Sequence, residues 1–393
     1  MTQTPLRGAI AALVAASLLH AVALPAAAQS PAVTGSALER AAAAPGAPRW
    51  DGAIASGRAA LSKLMADEGI PGLSVAVLVD GQVVWSEGFG FADLEQRVPA
   101  TPLTRFRIGS VSKPVTAAAV GLLAQEGKLD LDAPVQRYVP GYPRQRWPIT
   151  TRQVAGHIAG IRHYDRPDEM LSSRHYADVR SALSIFENDT LRFEPGTKYS
   201  YSSYGWNLVS AVVEGAAGEP FLTFMRRRVF EPLGLRSIVA EHQDSVLAWR
   251  ARFYERLPDG RVNNAPYVDQ SNKWAGGGFV SNSEDLVRFG WAHVKGGLLE
   301  PRTVTMLVTP QRLRSGESTG YGIGWRSGAD STTGRRWFAH TGSSVGGRAV
   351  LLVRPEEGVV VAALANLSQA PMSEALAQRL ARPFIEARAA ASR

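Results

Sequence analysis

The spacing of apolar residues predicts a helix and then a strand hairpin at the start of the folded part of the chain. Across 50–69, apolar side chains recur every three or four residues, as on one face of an α-helix. The segments 73–79 and 82–90 are strand-like, and the Asp-Gly dipeptide at 80–81 is a turn signal for a tight hairpin. A second apolar helix is predicted to begin at Ser110.

The middle of the chain has a weaker pattern, and strand signals return towards its end. Residues 129–267 are rich in Pro, Arg and aromatic residues, with helical periodicity only at 208–216 and 221–230. Strands are predicted at 276–281, around Trp325, and at 337–340, 348–353 and 358–364, before an amphipathic helix at 372–390. No internal repeat is found. The pattern indicates an α/β fold in which strands and helices at both ends bracket a mostly helical lobe, approximately 129–270.

The first 28 residues have the three-part pattern of a secretory signal peptide. One positive charge at Arg7 precedes an apolar run over 9–24, and small residues stand at Ala26 and Ala28. The run is shorter than the roughly 20 apolar residues of a spanning helix, which disfavours a membrane anchor. We therefore expect a signal peptide over 1–28, a flexible linker over 29–49 and a folded domain over 50–390, with no membrane span after cleavage.

Composition narrows the compartment and the partners. The chain has no cysteine, which excludes disulfides, a thiol nucleophile and a thiolate metal site. An exported chain without disulfides is typical of the bacterial envelope, so we expect a periplasmic or secreted protein. The formal net charge is +8, but basic residues are interspersed with Asp and Glu, which indicates a general surface charge and no nucleic-acid partner.

Ser110 and Lys113 form the only Ser-x-x-Lys pair of the chain, at the predicted start of the second helix. Residues three apart share a helix face, so the two side chains can meet. The positive field of a helix N-terminus disfavours an ammonium and favours an alkoxide, which suits transfer of the serine proton to the amine. Only 6 of the 43 basic residues are lysine, and arginine does not deprotonate in proteins, so lysine at this position is informative.

Two later segments add candidate side chains. Tyr201-Ser202-Ser203 stands just ahead of an apolar helix, and His340-Thr341-Gly342 leads out of a strand-like segment. Taken alone, Tyr201 is better explained as a buried aromatic residue with a satisfied hydroxyl, and His340 as a histidine at a strand end. They become candidate site residues because of their order along the chain relative to Ser-x-x-Lys.

The order of these motifs resembles that of the serine β-lactamase/penicillin-binding family: Ser-x-x-Lys, then Tyr-Ser-x about ninety residues later, then His-Thr-Gly in a late strand. The resemblance runs from Leu73 to Leu364 and includes EGKLDLDAPV from Glu126, AGGGFVSNSEDLVRF from Ala275 and YGIGW from Tyr321. It is strongest to the class C β-lactamase and D-alanyl-D-alanine carboxypeptidase branch. The segments GHIAGIRHY and YSYSSYG are closer still to the mitochondrial serine β-lactamase-like branch. The resemblance implies a β-lactamase/transpeptidase-like fold, with an antiparallel sheet flanked by helices, and an acyl-enzyme hydrolase.

The resemblance also implies catalytic roles. Ser110 would be the acylated nucleophile and Lys113 its proton partner. Tyr201 would be the general base and acid that relays the proton to the leaving group. The backbone N–H groups of Ser110 and Ser343 would form the oxyanion hole, which usually supplies the largest electrostatic contribution.

Substrate binding is implied for the residues around these groups. Thr341 and Gly342 would line the edge strand along which an extended substrate lies, and His340 would set the charge around Tyr201 or contact a substrate carboxylate. The family commonly has lysine where His340 stands, and asparagine, which grips the acyl side chain, where Ser203 stands. A mostly neutral imidazole holds a carboxylate less firmly, and a hydroxyl cannot replace both groups of an amide. Both departures weaken the case for efficient β-lactam hydrolysis and leave a peptidase or esterase at least as well supported.

Other chemistries have less support. The segment 342–346 matches a Gly-x-Ser-x-Gly elbow with Ser344 as nucleophile, but that fold needs a later histidine and none follows His340. A Gly-rich turn after the strand is the better interpretation. No cofactor is expected, because the sequence has no Walker loop and no complete dinucleotide fingerprint. No metal is expected either, because there is no His-Glu-x-x-His motif and no metal-ligand spacing connects the scattered His157, His163 and His175.

The alternative function is a catalytically silent binding protein that captures envelope peptides or partners. The joint presence of Ser110, Lys113 and Tyr201 argues against it, because a binding module needs none of them. The expected partner is a small-molecule or peptide substrate, and resemblance to the mitochondrial branch makes self-association an expectation to test. The sequence leaves open whether that substrate is a β-lactam, a D-amino-acid peptide, another peptide or an ester.

Overall fold

The structure, a computed structural model, describes residues 48–391 of the chain. The signal peptide predicted for 1–28 lies outside the described residues, as does most of the predicted linker. The domain predicted for 50–390 lies within them.

Ten α-helices and twelve strands are found among the residues described. The helices are α1 (Asp51–Glu68), α2 (Ser112–Gln125), α3 (Thr151–Ala155), α4 (Pro167–Met170), α5 (Ser203–Ala217), α6 (Phe221–Phe224), α7 (Trp274–Gly277), α8 (Ser283–Lys295), α9 (Pro301–Val308) and α10 (Glu374–Ala391). The strands are β1 (Gly72–Val79), β2 (Gln82–Asp93), β3 (Val98–Pro99), β4 (Phe106–Arg107), β5 (Val239–Ala240), β6 (Tyr254–Arg256), β7 (Val262–Asn264), β8 (Phe279–Ser281), β9 (Arg326–Ala329), β10 (Arg336–Ser344), β11 (Gly347–Arg354) and β12 (Val359–Ala365).

The main sheet has seven antiparallel strands in the order β3-β2-β1-β12-β11-β10-β9. Alternate residues of its central strands belong to two separate cores: in β1, Ala76 and Leu78 face one, whereas Val75 and Val77 face the other. Helix α8 packs on β1, β11 and β12, and α10 packs on β10, β11 and β12 beside α1. Because both faces are covered, these strands have continuous apolar sequences instead of alternating ones.

The predicted hairpin at the start of the sheet is confirmed. Asp80 and Gly81 have φ angles of 49° and 87°, as the two central residues of a type I′ turn require. The turn joins β1 directly to β2 and fixes their register. The first and last predicted helices are confirmed as α1 and α10.

Helix α2 is almost completely buried and is surrounded by other helices. Every residue from Ser112 to Leu123 is buried, and α5, α7 and α9 pack around the helix. Ser202 caps the N-terminus of α5 by accepting a hydrogen bond from the Gly205 N–H at 3.0 Å. This cap fixes the point at which the preceding Tyr201 leaves the extended chain and faces α2.

Three local predictions were wrong. The strand predicted at 276–281 is split, because residues 274–277 form α7 and only 279–281 are extended. The helix predicted to open at Ser110 begins at Ser112, after a 3₁₀ turn over Gly109–Val111. The Gly-rich turn predicted after His340 is shorter than expected, since β10 continues to Ser344 and only Val345 and Gly346 turn.

No single helix within 48–391 is both long and apolar enough to cross a membrane. One pair, Ser203–Ala217 with Phe221–Phe230, meets the length and composition requirement jointly but bends by 73°. Its first member, α5, is buried in the helical lobe from Ser203 to Val213.

Candidate active site

Ser110 sits in the 3₁₀ turn between β4 and α2, pressed against β10. Gly109 has a φ of 48°, and a Cβ there would lie 2.6 Å from the Ser343 backbone nitrogen. A Cβ on Gly342 would lie 1.8 Å from the Ile108 carbonyl oxygen. Only glycine permits either approach, so these two residues allow the backbone of the Ser110 turn to contact the backbone of Ser343.

Three separate segments place their side chains on the Ser110 hydroxyl. Lys113 Nζ lies 3.0 Å from Ser110 Oγ, and the Tyr201 hydroxyl donates to the same oxygen at 2.8 Å. Lys113 Nζ also donates to the Gly276 carbonyl at 2.7 Å and lies 3.4 Å from Ser203 Oγ. The structure therefore brings together the Ser-x-x-Lys pair and the Tyr-Ser-Ser segment that the sequence singled out.

Burial favours the uncharged forms of both groups beside Ser110. Lys113 is completely buried and its hydrogen-bond partners are all uncharged, so burial holds its pKa well below the usual range of a lysine. Burial likewise raises the pKa of Tyr201 above that of a free phenol. At neutral pH the arrangement favours an amine that can accept a proton and a phenol that can donate one.

His340 is buried at the edge of the site and both of its ring nitrogens have partners. Nδ1 lies 2.6 Å from the Thr341 carbonyl oxygen, which makes it the donor nitrogen, and Nε2 accepts from the Tyr321 hydroxyl at 2.9 Å. Burial is the main cause that lowers the pKa of His340, to about 3. A neutral imidazole with both nitrogens occupied is poorly suited to hold a substrate carboxylate, the second of the two roles that the resemblance implied.

Two histidines that the sequence left unassigned hold the Tyr-Ser-Ser segment. His157 Nδ1 accepts from the Ser202 N–H at 3.1 Å, and its ring lies 4.3 Å from that of Tyr201. His163 Nδ1 accepts from the Ser203 N–H at 3.2 Å. Burial is the main cause that lowers the pKa of each imidazole, to about 4 for His163, so both remain neutral acceptors.

Residues 340–344 of β10 form an open strand edge beside Ser110. Strand β9 pairs with β10 only from Arg336 to Ala339, whereas β11 pairs with it as far as Ser344. Thr341, Gly342 and Ser343 line the pocket that contains Ser110. This edge can pair with an extended substrate, as the sequence predicts.

The pocket has a volume of about 320 Å³, at the small end of the range for ligand sites. Ser110, Tyr201, Ser203 and His340 are among its lining residues. Three cationic side chains also line the pocket: Lys273, Arg326 and Arg348. The lining residues described include no Asp or Glu. Sequence analysis did not select these cations, because no motif offset separates them from the other basic residues.

The rival nucleophile and the metal alternative find no support in the geometry. Ser344 lies within β10 and its hydroxyl accepts from the Gln270 amide at 3.3 Å, whereas an elbow serine occupies a strand-to-helix turn. His175 pairs with Asp269 at 3.1 Å, apart from His157 and His163. Within 48–391, no group of three His, Cys, Asp or Glu residues could hold a metal ion.

Comparison with known proteins gives one consistent family. A sequence model of the Beta-lactamase family matches residues 58–383. The mitochondrial serine beta-lactamase-like protein LACTB of mouse (Mus musculus) is 34% identical to the chain, covering 80% of it and 74% of that protein.

Solved structures share the fold. An octameric penicillin-binding protein homologue from Pyrococcus abyssi aligns with a TM-score of 0.72 at 24% identity, over 84% of this chain and 77% of that one. Beta-lactamase/D-alanine carboxypeptidase from Pseudomonas syringae aligns with a TM-score of 0.71 at 20% identity, over 84% and 99%.

Together, fold and relatives support a serine hydrolase in general and confirm the β-lactamase/transpeptidase-like fold predicted from the sequence. The chain belongs to the Beta-lactamase family, since the family match spans most of its length and a relative of more than 30% identity covers four-fifths of it.

Proposed function

We propose that the chain is a serine hydrolase that forms an acyl-enzyme on Ser110 and cleaves an amide or an ester. One observation carries the proposal: Ser110 Oγ contacts both the Lys113 amine at 3.0 Å and the Tyr201 phenol at 2.8 Å at the wall of a pocket. A nucleophile with an adjacent base and a second proton donor is the arrangement that covalent hydrolysis requires.

The first step transfers the Ser110 proton to Lys113. The buried neutral amine accepts it while Ser110 Oγ attacks the substrate carbonyl carbon. The carbonyl oxygen becomes an oxyanion beside the N–H groups of Ser110 and Ser343, whose backbones Gly109 brings into contact. Lys113 rather than Tyr201 is the base, because burial lowers the pKa of the amine and raises that of the phenol.

The second step expels the leaving group. The Tyr201 phenol gives its proton to the departing nitrogen or oxygen, and the Lys113 ammonium returns the serine proton to the phenolate. Water then attacks the acyl-enzyme by the reverse route, with the amine accepting its proton. Lys113 and Tyr201 are neutral again at the end of the cycle, so proton balance needs no further group.

The substrate that we propose is a peptide, a β-lactam or a small ester. The alternative is a silent binding protein that captures envelope peptides or partners. It would use the same pocket but would not need Ser110 Oγ between an amine and a phenol.

Intact-mass analysis after treatment with a fluorophosphonate or penicillin probe separates the two functions. We expect the wild-type chain to gain one probe mass and Ser110→Ala to gain none. No mass gain on the wild type, or equal labelling of both proteins, would favour the silent binder.

We also propose that the protein is exported and self-associates. Export rests on the residue pattern of 1–28, and N-terminal sequencing of the protein from a periplasmic fraction tests it. Self-association is prompted by the octameric description of the Pyrococcus abyssi homologue, and sedimentation velocity of the purified chain tests it.

A further inference from the structure

The lysines of this chain divide sharply by burial. Four of the six are exposed: Lys63, Lys128, Lys198 and Lys295. Lys113 and Lys273 are the other two, at 0% and 7% exposure. Lys113 contacts Ser110, and Lys273 lines the pocket into which Ser110 opens.

Among the residues described, the Lys273 ammonium is hydrogen-bonded to a main-chain carbonyl and to no carboxylate. Its Nζ donates to the Met170 carbonyl at 3.1 Å and lies 5.7 Å from the centre of the Tyr164 ring. It forms no salt bridge within the part of the chain that the structure describes. An ammonium can donate three hydrogen bonds, so two remain for a ligand.

The acidic groups near Lys273 are committed elsewhere. The two carboxylate oxygens of Glu241 accept from Nε and Nη2 of the Arg107 guanidinium, at 2.6 and 3.0 Å. Asp269 accepts from the Ser271 N–H at 2.7 Å and pairs with His175. Glu241 and Asp269 therefore attract Lys273 through space but form no described salt bridge with it, and a buried charge without a direct partner is costly unless a ligand supplies one.

Lys273 and the β10 edge line the same pocket. Tyr164, whose ring centre lies 5.7 Å from the Lys273 ammonium, lines this pocket together with Ser203. The resemblance places the acyl side chain of a substrate at Ser203, so a long acyl chain bound there shares the pocket with the Lys273 ammonium. Arg326, in contrast, already has the Glu374 carboxylate at 3.1 Å.

We propose that Lys273 is a specificity residue that binds a carboxylate on the acyl part of the substrate. The proposal rests on the acyl-enzyme function above and assigns that function a substrate class: acyl donors with an anionic end. Burial lowers the pKa of Lys273 to about 8, so the ammonium is the main form at pH 7.

The test uses 4-nitrophenyl monoesters of succinic, glutaric and adipic acid, each beside its methyl-capped diester. The measured quantity is the ratio of kcat/KM for the free acid to that for the capped ester. We expect a ratio of about 10 for the best chain length in the wild type, from one charged hydrogen bond. Lys273→Met, or Lys273→Gln if the first variant does not fold, should bring the ratio to about 1. The exposed Lys63→Met removes one charge outside the pocket and should keep it at about 10.

A wild-type ratio of 1 or less overturns the assignment, as does a Lys273 variant that keeps the wild-type ratio. Failure of the hydrolase itself is distinguished by calorimetry on Ser110→Ala protein, where the same acid and capped ester bind without turnover. In that background, Lys273→Met should weaken binding of the acid about tenfold relative to the capped ester. Equal weakening of both ligands, or none, would refute the carboxylate subsite whatever the turnover.

Discussion

At the scale of single residues, burial without a nearby negative charge decides how Lys113 acts. Its hydrogen-bond partners are a main-chain carbonyl and two hydroxyls. None of them stabilises an ammonium as a carboxylate would, so the free amine is favoured. An arginine at the same place would keep its charge and could not accept a proton.

Lys113→Arg should therefore slow turnover strongly while Ser110 stays in place. We expect kcat to fall by about 10²–10⁴-fold, the usual contribution of a positioned base. Rates on a short-chain nitrophenyl ester measure the loss, and Lys128→Arg, on the surface, is the matched control. An unchanged rate in Lys113→Arg would remove Lys113 from the mechanism.

The pH profile follows from the same two residues. The lowered pKa of Lys113 keeps the amine free at neutral pH, and activity should fall only as acidification protonates it. The raised pKa of Tyr201 keeps the phenol protonated, so no alkaline loss is expected up to its ordinary value of about 10. Measurement of kcat/KM from pH 5 to 10 checks this, and an acid limb near the ordinary lysine pKa would contradict it.

The part of the site that belongs to short sequence motifs could be predicted, and the part that does not could not. Ser110, Lys113 and Tyr201 occupy fixed places in short patterns, so they could be selected. His157 and His163 bind backbone N–H groups, and Tyr321 binds an imidazole. Such contacts have no characteristic spacing, and the only available signal was two histidines six residues apart in GHIAGIRHY.

At the scale of elements, regular strands were predictable and close backbone packing was not. The central strands are long and apolar, and the Asp-Gly turn between β1 and β2 has a known geometry. Helix α7 was missed because three consecutive glycines, residues 276–278, indicate neither helix nor strand. The Gly276 carbonyl binds Lys113, which only the folded chain shows.

The contact between the Ser110 turn and β10 is testable with two glycines. Gly109 and Gly127 both have positive φ, 48° and 70°, but only a Cβ on Gly109 meets neighbouring backbone, 2.6 Å from Ser343 nitrogen. Gly127→Ala should cost about 1 kcal/mol of unfolding free energy and retain probe labelling. Gly109→Ala should lower the labelling rate at least about tenfold, because the oxyanion-hole backbone must shift. Equal labelling rates would show that this contact does not shape the site.

At the scale of the whole molecule, buried neutral imidazoles link stability to pH. Burial lowers the pKa of His293 to about 4, and the ring packs against Phe289, Trp325 and Phe338. A histidine whose pKa is lower in the folded state than in the unfolded state stabilises the fold fully above the unfolded-state pKa of about 6.5. This contribution to the free energy of unfolding is lost as the pH falls towards the folded-state pKa.

The free energy of unfolding should therefore decrease on acidification from pH 7.5 to 5. His293 alone should contribute about 2 kcal/mol of this decrease. Urea unfolding of the wild type and of His293→Leu at both pH values measures it. The variant should lose less stability than the wild type over this interval, and an identical loss would contradict the assignment.

The short pairing of β9 with β10 has a consequence beyond the reaction. An unpaired strand edge can form hydrogen bonds with a strand of a neighbouring protein, which leads to aggregation. Here the unpaired edge of β10 forms a wall of a small pocket. We therefore expect the pocket to exclude the sheet of another protein and to admit one extended chain. The enclosed edge therefore limits aggregation and selects, by shape, the substrates that can reach Ser110.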